Sequence, residues 1–200
     1  MASTFCHGKK GIKILIPESA YLIVANRDLR EMLWAEFISV TGGVLAGVAL
    51  ATMTRQLMLI PGLFILIPGF LSMRGAVGGS LSSRISSGLF LGVVKPKMTD
   101  RIVVSNMAAT AMLIMICSVI LGVFAYYTNL FIFGESNVNM IFISAVAGLL
   151  SLVMIPINAY TTLWVFRKGH DPNNIMGPYI TTLGDLFGTA SFLIAIWVTT

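Results

Sequence analysis

Apolar positions along this chain do not recur at the 3.6-residue period of a helix with one wet face; they run together for twenty residues or more. Five such stretches stand out, at 34–53, 57–91, 102–127, 140–166 and 175–198. A helix needs roughly 20 apolar residues to cross roughly 30 Å of hydrocarbon, so each stretch predicts a transmembrane helix. Residues 12–33 mix apolar with charged positions and predict a short amphipathic helix lying at the membrane surface, leading into the first span. The fold class expected is therefore all-α integral membrane. An N-terminal segment, 1–33, precedes a five-helix membrane domain, 34–200.

The second stretch is too long for one crossing: 35 helical residues would measure roughly 52 Å. Its first half is plainly apolar, whereas 72–88 carries Arg74, Arg84 and many Gly and Ser residues. That half needs protein or water beside it rather than lipid. The N-terminus is not expected to be a cleaved signal, since Pro17, Glu18, Asn26, Arg27 and Asp28 interrupt its apolar patch.

Composition agrees with the pattern. The 200 residues are 56% hydrophobic and only 10% charged, against about 25% charged in soluble domains. The net charge of +5 would suggest nucleic acid in a soluble protein, but in a membrane chain it reads as loop asymmetry, and no nucleic-acid partner is expected. One face collects Lys9, Lys10, Lys13, Arg27, Arg30, Lys95, Lys97, Arg101, Arg167 and Lys168; the other has only Arg55, and Glu135 without a base. Basic short loops stay inside, so the N-terminus is expected in the cytoplasm and the C-terminus outside, in a multi-pass protein of the cell membrane. An odd number of spans cannot close an inverted repeat evenly, and a parallel homodimer would complete the wall. Gly43 and Gly47, flanked by Gly42 and Ala46, offer a small-residue seam for it; close packing within one chain is the equal alternative. Cys6 and Cys117 lie far apart in sequence and suggest neither a disulfide framework nor a zinc site.

The chemistry is sought where lipid should exclude it. Asp185 lies ten positions into the last span, roughly 14 Å deep, where insertion costs roughly 2.5–3.5 kcal/mol. Thr181, Thr182, Gly188 and Thr189 share its face at helical spacing, a stripe able to line a path. Asn158, after Pro156 on the fourth span, and Gly75 with Ala76 on the second are expected at similar depth, with a carbonyl left free by the proline. The alternative for Asp185 is a packing hydrogen bond. Glu36, opening the first span, either guides cations at the cytoplasmic mouth or marks the interface. Arg74 would repel cations and is expected to pair with an acid or snorkel. His7 and His170 are expected in water, and Asp171 or Asn174 is expected to cap the last helix. These donors are oxygen-based with no His or Cys at that depth, which suits a hard cation, magnesium above all, keeping several waters. Two Asp185 carboxylates near a dimer axis would repel, and a divalent cation would relieve that repulsion.

Two segments carry a family resemblance. Pro68, Gly69, Phe70, Leu71, Ser72, Met73, Arg74 and Gly75, followed by Ser83, Arg84, Ile85 and Ser86, resemble the second-span signature of MgtE-type magnesium transporters. Asp171, Pro172, Asn173 and Asn174, then Pro178, Thr181, Thr182, Leu183, Gly184, Asp185 and Gly188, resemble the family's last span, where the matching Asp recognises magnesium. The resemblance is closest to the short archaeal and solute-carrier-like branch. It implies a homodimeric channel or transporter for magnesium, the transported ion, with a path at the dimer interface lined by the second and fifth spans. Ala76 stands where the family usually has Asn, and Phe90 or its neighbours where a His often follows. With 33 residues before the first span, cytoplasmic sensor domains are not expected.

Two other readings compete: a substrate-binding membrane subunit of an ATP-driven uptake system, and an ion-coupled carrier for another divalent metal. The first would show a roomy pocket with aromatic and polar groups; the second would use Asp185 as a titrating group. No Ser/His, Cys/His or HExxH arrangement falls in the spans, so an enzyme is not expected.

Overall fold

The computed structural model describes residues 6–7, 13–14, 18–52, 54, 62–134 and 139–199. Lys9, Lys10, Arg55 and Glu135 of the charge argument, Met53 of the first expected span and 57–61 of the second lie outside these. Two short strands, β1 (Cys6–His7) and β2 (Lys13–Ile14), pair antiparallel. Among the described residues six long helices follow: α1 (Glu18–Thr52), α2 (Leu63–Phe90), α3 (Arg101–Phe133), α4 (Asn139–Ser151), α5 (Met154–Arg167) and α6 (Pro172–Thr199). Among the described residues five segments are long and apolar enough to cross a membrane: Asp28–Thr52, Leu63–Phe90, Arg101–Phe133, Asn139–Arg167 and Pro172–Val198.

Three of these differ from expectation for local reasons. The first is not preceded by a separate surface helix starting at residue 12: Lys13–Ile14 is a strand, and α1 runs unbroken from Glu18 into the span. The second is 28 residues, about 42 Å, rather than 35. It closes where Gly92 takes φ +70°, letting the amides of Val93 and Val94 reach back to the Gly88 carbonyl. The fourth bends between α4 and α5. Pro156 cannot donate to the Leu152 carbonyl, and that carbonyl is not left free as expected; it accepts from the Ile155 amide at 3.1 Å in a tighter turn.

Helix ends follow side-chain chemistry. Asp100 caps α3 by accepting from the Ile102 amide at 2.9 Å, and Gly134, at φ +71°, ends it. Of the two caps expected for the last helix, Asp171 serves, accepting from the Asn173 amide at 2.8 Å with Pro172 as the first helical residue. The α2–α3 and α5–α6 connections meet at one end, where the Arg167 guanidinium donates to the Pro96 carbonyl. His170 Nδ1 lies 2.9 Å from Glu31 Oε1, drawing α1 to the same end. Arg30, Lys95, Lys97, Arg101, Arg167 and Lys168 therefore lie on elements gathered at one pole of the bundle.

The interior holds two large apolar clusters with a polar layer between, and a smaller cluster of Val165, Met176 and Ile180. At one end Leu66, Phe70, Ile143, Ala147, Phe192 and Ile196 pack together, with the Phe70 and Phe192 rings edge to face at 4.8 Å. At the other, Val77, Leu81, Ile85, Val103, Ile155, Ala159 and Leu163 do so. Along α2 the change occurs between Phe70 and Val77, and Arg74 is the buried residue there. Helices α3 and α4 meet through small residues: the Ser144 hydroxyl donates to the Ser118 carbonyl at 2.6 Å, Gly122 lies against the Ile141 backbone, and Gly148 against Ser118.

Candidate functional site

The polar layer is organised by Arg74. Its guanidinium is 5% exposed and donates from Nη1 to the Gly184 carbonyl at 2.7 Å, tying α2 to α6 one residue before Asp185. Only Gly at 188 leaves room for it, because a side chain there would run into Leu71 and the guanidinium. Leu71 beside Gly188, Arg74 beside Gly184 and Gly78 beside Ile180 fix an antiparallel α2/α6 register. Arg74 and Asp185 interact electrostatically across it, so each offsets part of the cost of the other inside an apolar bundle. Arg74 was expected to pair with an acid or snorkel; it is buried, and its guanidinium donates to the Gly184 carbonyl rather than to a carboxylate.

Behind Arg74 is a closed cavity of about 20 Å³, the size of one water, bordered by Gly78, Thr110, Ser151, Asn158 and Gly184. Asn158 is 5% exposed, and its Oδ1 is buried with no hydrogen-bond partner among the described residues. Thr162 donates to the Asn158 carbonyl and also contacts Ser82 Oγ at 2.8 Å, bracing α5 on α2. Thr110 and Ser151 were not anticipated. Thr110 belongs to the buried stripe Val103, Thr110, Ile114, Ser118 and Gly122 on α3, whose spacing was a signal available in the sequence.

Asp185 itself is half-buried and does not border that cavity. Asn158 thus shares that cavity with Gly184, the neighbour of Asp185, and not with Asp185 itself. On the Asp185 side, Thr181 is exposed and Thr182 half-buried, its methyl seated against Gly42 of α1. The hydroxyls of Thr181, Thr182 and Thr189 donate to carbonyls one turn earlier, Gly177, Pro178 and Asp185, which leaves their oxygens free to accept. Gly75 is half-buried with open space before it, and Ala76 is exposed. Glu36 is exposed on α1, well removed in sequence from Gly42 and Ala46, which pack inward.

The outward side of α2 is unlike a lipid-facing surface. Ser72, Ala76, Ser80, Ser83 and Ser87 are exposed, and between Phe64 and Phe90 no large apolar residue is. By contrast α3 exposes Met112, Leu113, Ile116, Ile120 and Phe124. Arg84 folds back along α2, its Nη2 3.0 Å from Ser80 Oγ. Among the described residues no three His, Cys, Asp or Glu side chains gather, so a cation at Asp185 would keep water or draw on hydroxyl and carbonyl oxygens.

Comparison with known proteins bears on this arrangement. The family model described as "MgtE: Divalent cation transporter" matches residues 67–195, which takes in most of α2 and nearly all of α6. Solute carrier family 41 member 2 of Macaca fascicularis and of Homo sapiens are each 31% identical over 139 residues, covering 57% of this chain and 23% of the relative. The Gallus gallus protein of the same name is 24% identical over 201 residues, covering 90% of this chain and 33% of the relative. This chain thus spans a third or less of those relatives. With more than half its length matched, and with both segments that frame Asp185 inside the match, the chain belongs to the MgtE family of divalent cation transporters.

Proposed function

We propose that this chain forms a homodimer that moves magnesium along the face shared by α2 and α6, with Asp185 recognising the hydrated ion. The observation that carries the reading is the place of Asp185: among the described residues between Leu63 and Thr199 it is the one carboxylate inside a helix rather than in a connection, half-buried at mid-length, in a family of divalent cation transporters. Thr181 and Gly75 supply nearby oxygens and open backbone, and Thr182 and Ala76 flank them. Magnesium sheds water reluctantly, so one or two carboxylates acting through retained waters suit it better than a dehydrated cage. The exposed Ser and Ala strip of α2 supports a second copy as its cover, since lipid offers its hydroxyls no hydrogen bonds. The basic pole supports a cytoplasmic N-terminus in the cell membrane.

The test is magnesium uptake into proteoliposomes by the wild type and Asp185→Asn, with and without a proton gradient. Uptake is expected to fall at least about tenfold in the variant, the effect of losing about 1.4 kcal/mol of ion stabilisation. Insensitivity to the gradient argues against proton coupling and favours a channel. Undiminished uptake by Asp185→Asn overturns the role given to this residue.

A further inference from the structure

At the basic pole the N-terminal half of α1 stands away from the α5–α6 turn and leaves a groove of about 640 Å³. Its rim carries Arg30, Lys168 and His170, and its wall is Trp34, Ile38 and Ile175. A second hollow of about 490 Å³, lined by Leu33, Trp34, Phe37 and again Arg30, lies on the other side of the same indole. We propose that these hollows seat an anionic phospholipid, its phosphate held between Arg30 and Lys168 and its acyl chains straddling Trp34.

Position, charge and shape support this occupant together. Arg30 is two residues inside the apolar segment Asp28–Thr52, and Lys168 is one residue beyond Asn139–Arg167, so both mark the level where hydrocarbon gives way to headgroups. Neither cation has a carboxylate within 4 Å among the described residues, and Lys168 Nζ is held 5.8 Å over the Trp164 ring. The acid in the groove, Glu31, is engaged with His170. A zwitterionic headgroup would bring its own cation against Arg30 and Lys168, whereas an anionic one brings none. Free phosphate would use the rim but not the apolar wall, and Trp34 is 61% exposed along that wall. The inference is independent of the transport reading.

The experiment uses the full chain with Trp164→Phe and Trp197→Phe, leaving Trp34 as the one indole, in vesicles containing phospholipid brominated on its acyl chains. Brominated phosphatidylglycerol is expected to quench Trp34 more strongly than brominated phosphatidylcholine at equal mole fraction, with an apparent preference of about fivefold for each basic residue engaged. Arg30→Gln with Lys168→Gln should abolish the preference, Lys168→Arg should keep it, and Arg101→Gln, outside the groove, should leave it intact. If the double substitution prevents folding, each single one carries the test. Equal quenching by the two lipids, a preference that survives both substitutions, or displacement by excess inorganic phosphate would each overturn the assignment.

Discussion

One hydrogen bond at the centre of the bundle does two jobs. Arg74 fixes the carbonyl before Asp185 and sets a positive charge behind its carboxylate. Arg74→Met should cost about 1.5–3 kcal/mol, the value of a buried hydrogen bond from a charged donor. Asp185→Asn alone should cost less, because the acid is half-buried. The double variant should be more stable than the two losses added, by about 0.5–3 kcal/mol, since the second removal takes away a charge the first left unmatched. Thermal unfolding in detergent reads all four proteins; strict additivity would show the charges to be uncoupled. Asp185 and Arg74 were legible in the sequence because a charge inside an apolar run must have a reason. That Asn158 borders a cavity which Asp185 does not was not, since helix rise gives depth but not the direction in which a residue faces.

At the scale of elements, small residues decide which helices touch. A Cβ on Gly122 would stand 3.0 Å from the Ile141 Cα, a backbone atom that cannot yield without moving α4. Gly122→Leu should therefore destabilise the bundle by about 1–3 kcal/mol. Gly43 has nothing within 4 Å, so Gly43→Ala should raise stability by about 0.5–1 kcal/mol through helix propensity alone. Melting temperatures of the two variants should move in opposite directions; a matching fall would mean that Gly43 is covered by a second copy. The five spans were readable from hydrophobic length. Their pairing was not: Gly42 and Ala46 of α1 pack within the chain, leaving Gly43 and Gly47 open, while the seam of Ser118, Gly122, Ser144 and Gly148 gave no sign of its partner until α3 and α4 were seen side by side. The bend at Leu152 was half legible, since Pro156 forecasts a lost bond but not that Ile155 would take up the carbonyl.

For the whole molecule, the question is what covers α2. Its strip of Ser72, Ala76, Ser80 and Ser83 is exposed and offers lipid no large apolar side chain. If a second copy covers it, Ser80→Cys in a background with Cys6→Ser and Cys117→Ser should cross-link to itself in membranes, while Met112→Cys on the lipid-facing side of α3 should not. Such a pairing brings two partly buried carboxylates toward one another, each only partly balanced by its Arg74, and their repulsion weakens the dimer. Magnesium bound between them would reverse this, and a ligand at a hundred times its dissociation constant adds about 2.7 kcal/mol. The wild type should therefore melt several degrees higher with saturating magnesium than in chelator, and Asp185→Asn should melt alike in both. A magnesium shift that persists in Asp185→Asn would place the ion elsewhere, and cross-links through Met112→Cys but not Ser80→Cys would turn α2 away from the interface.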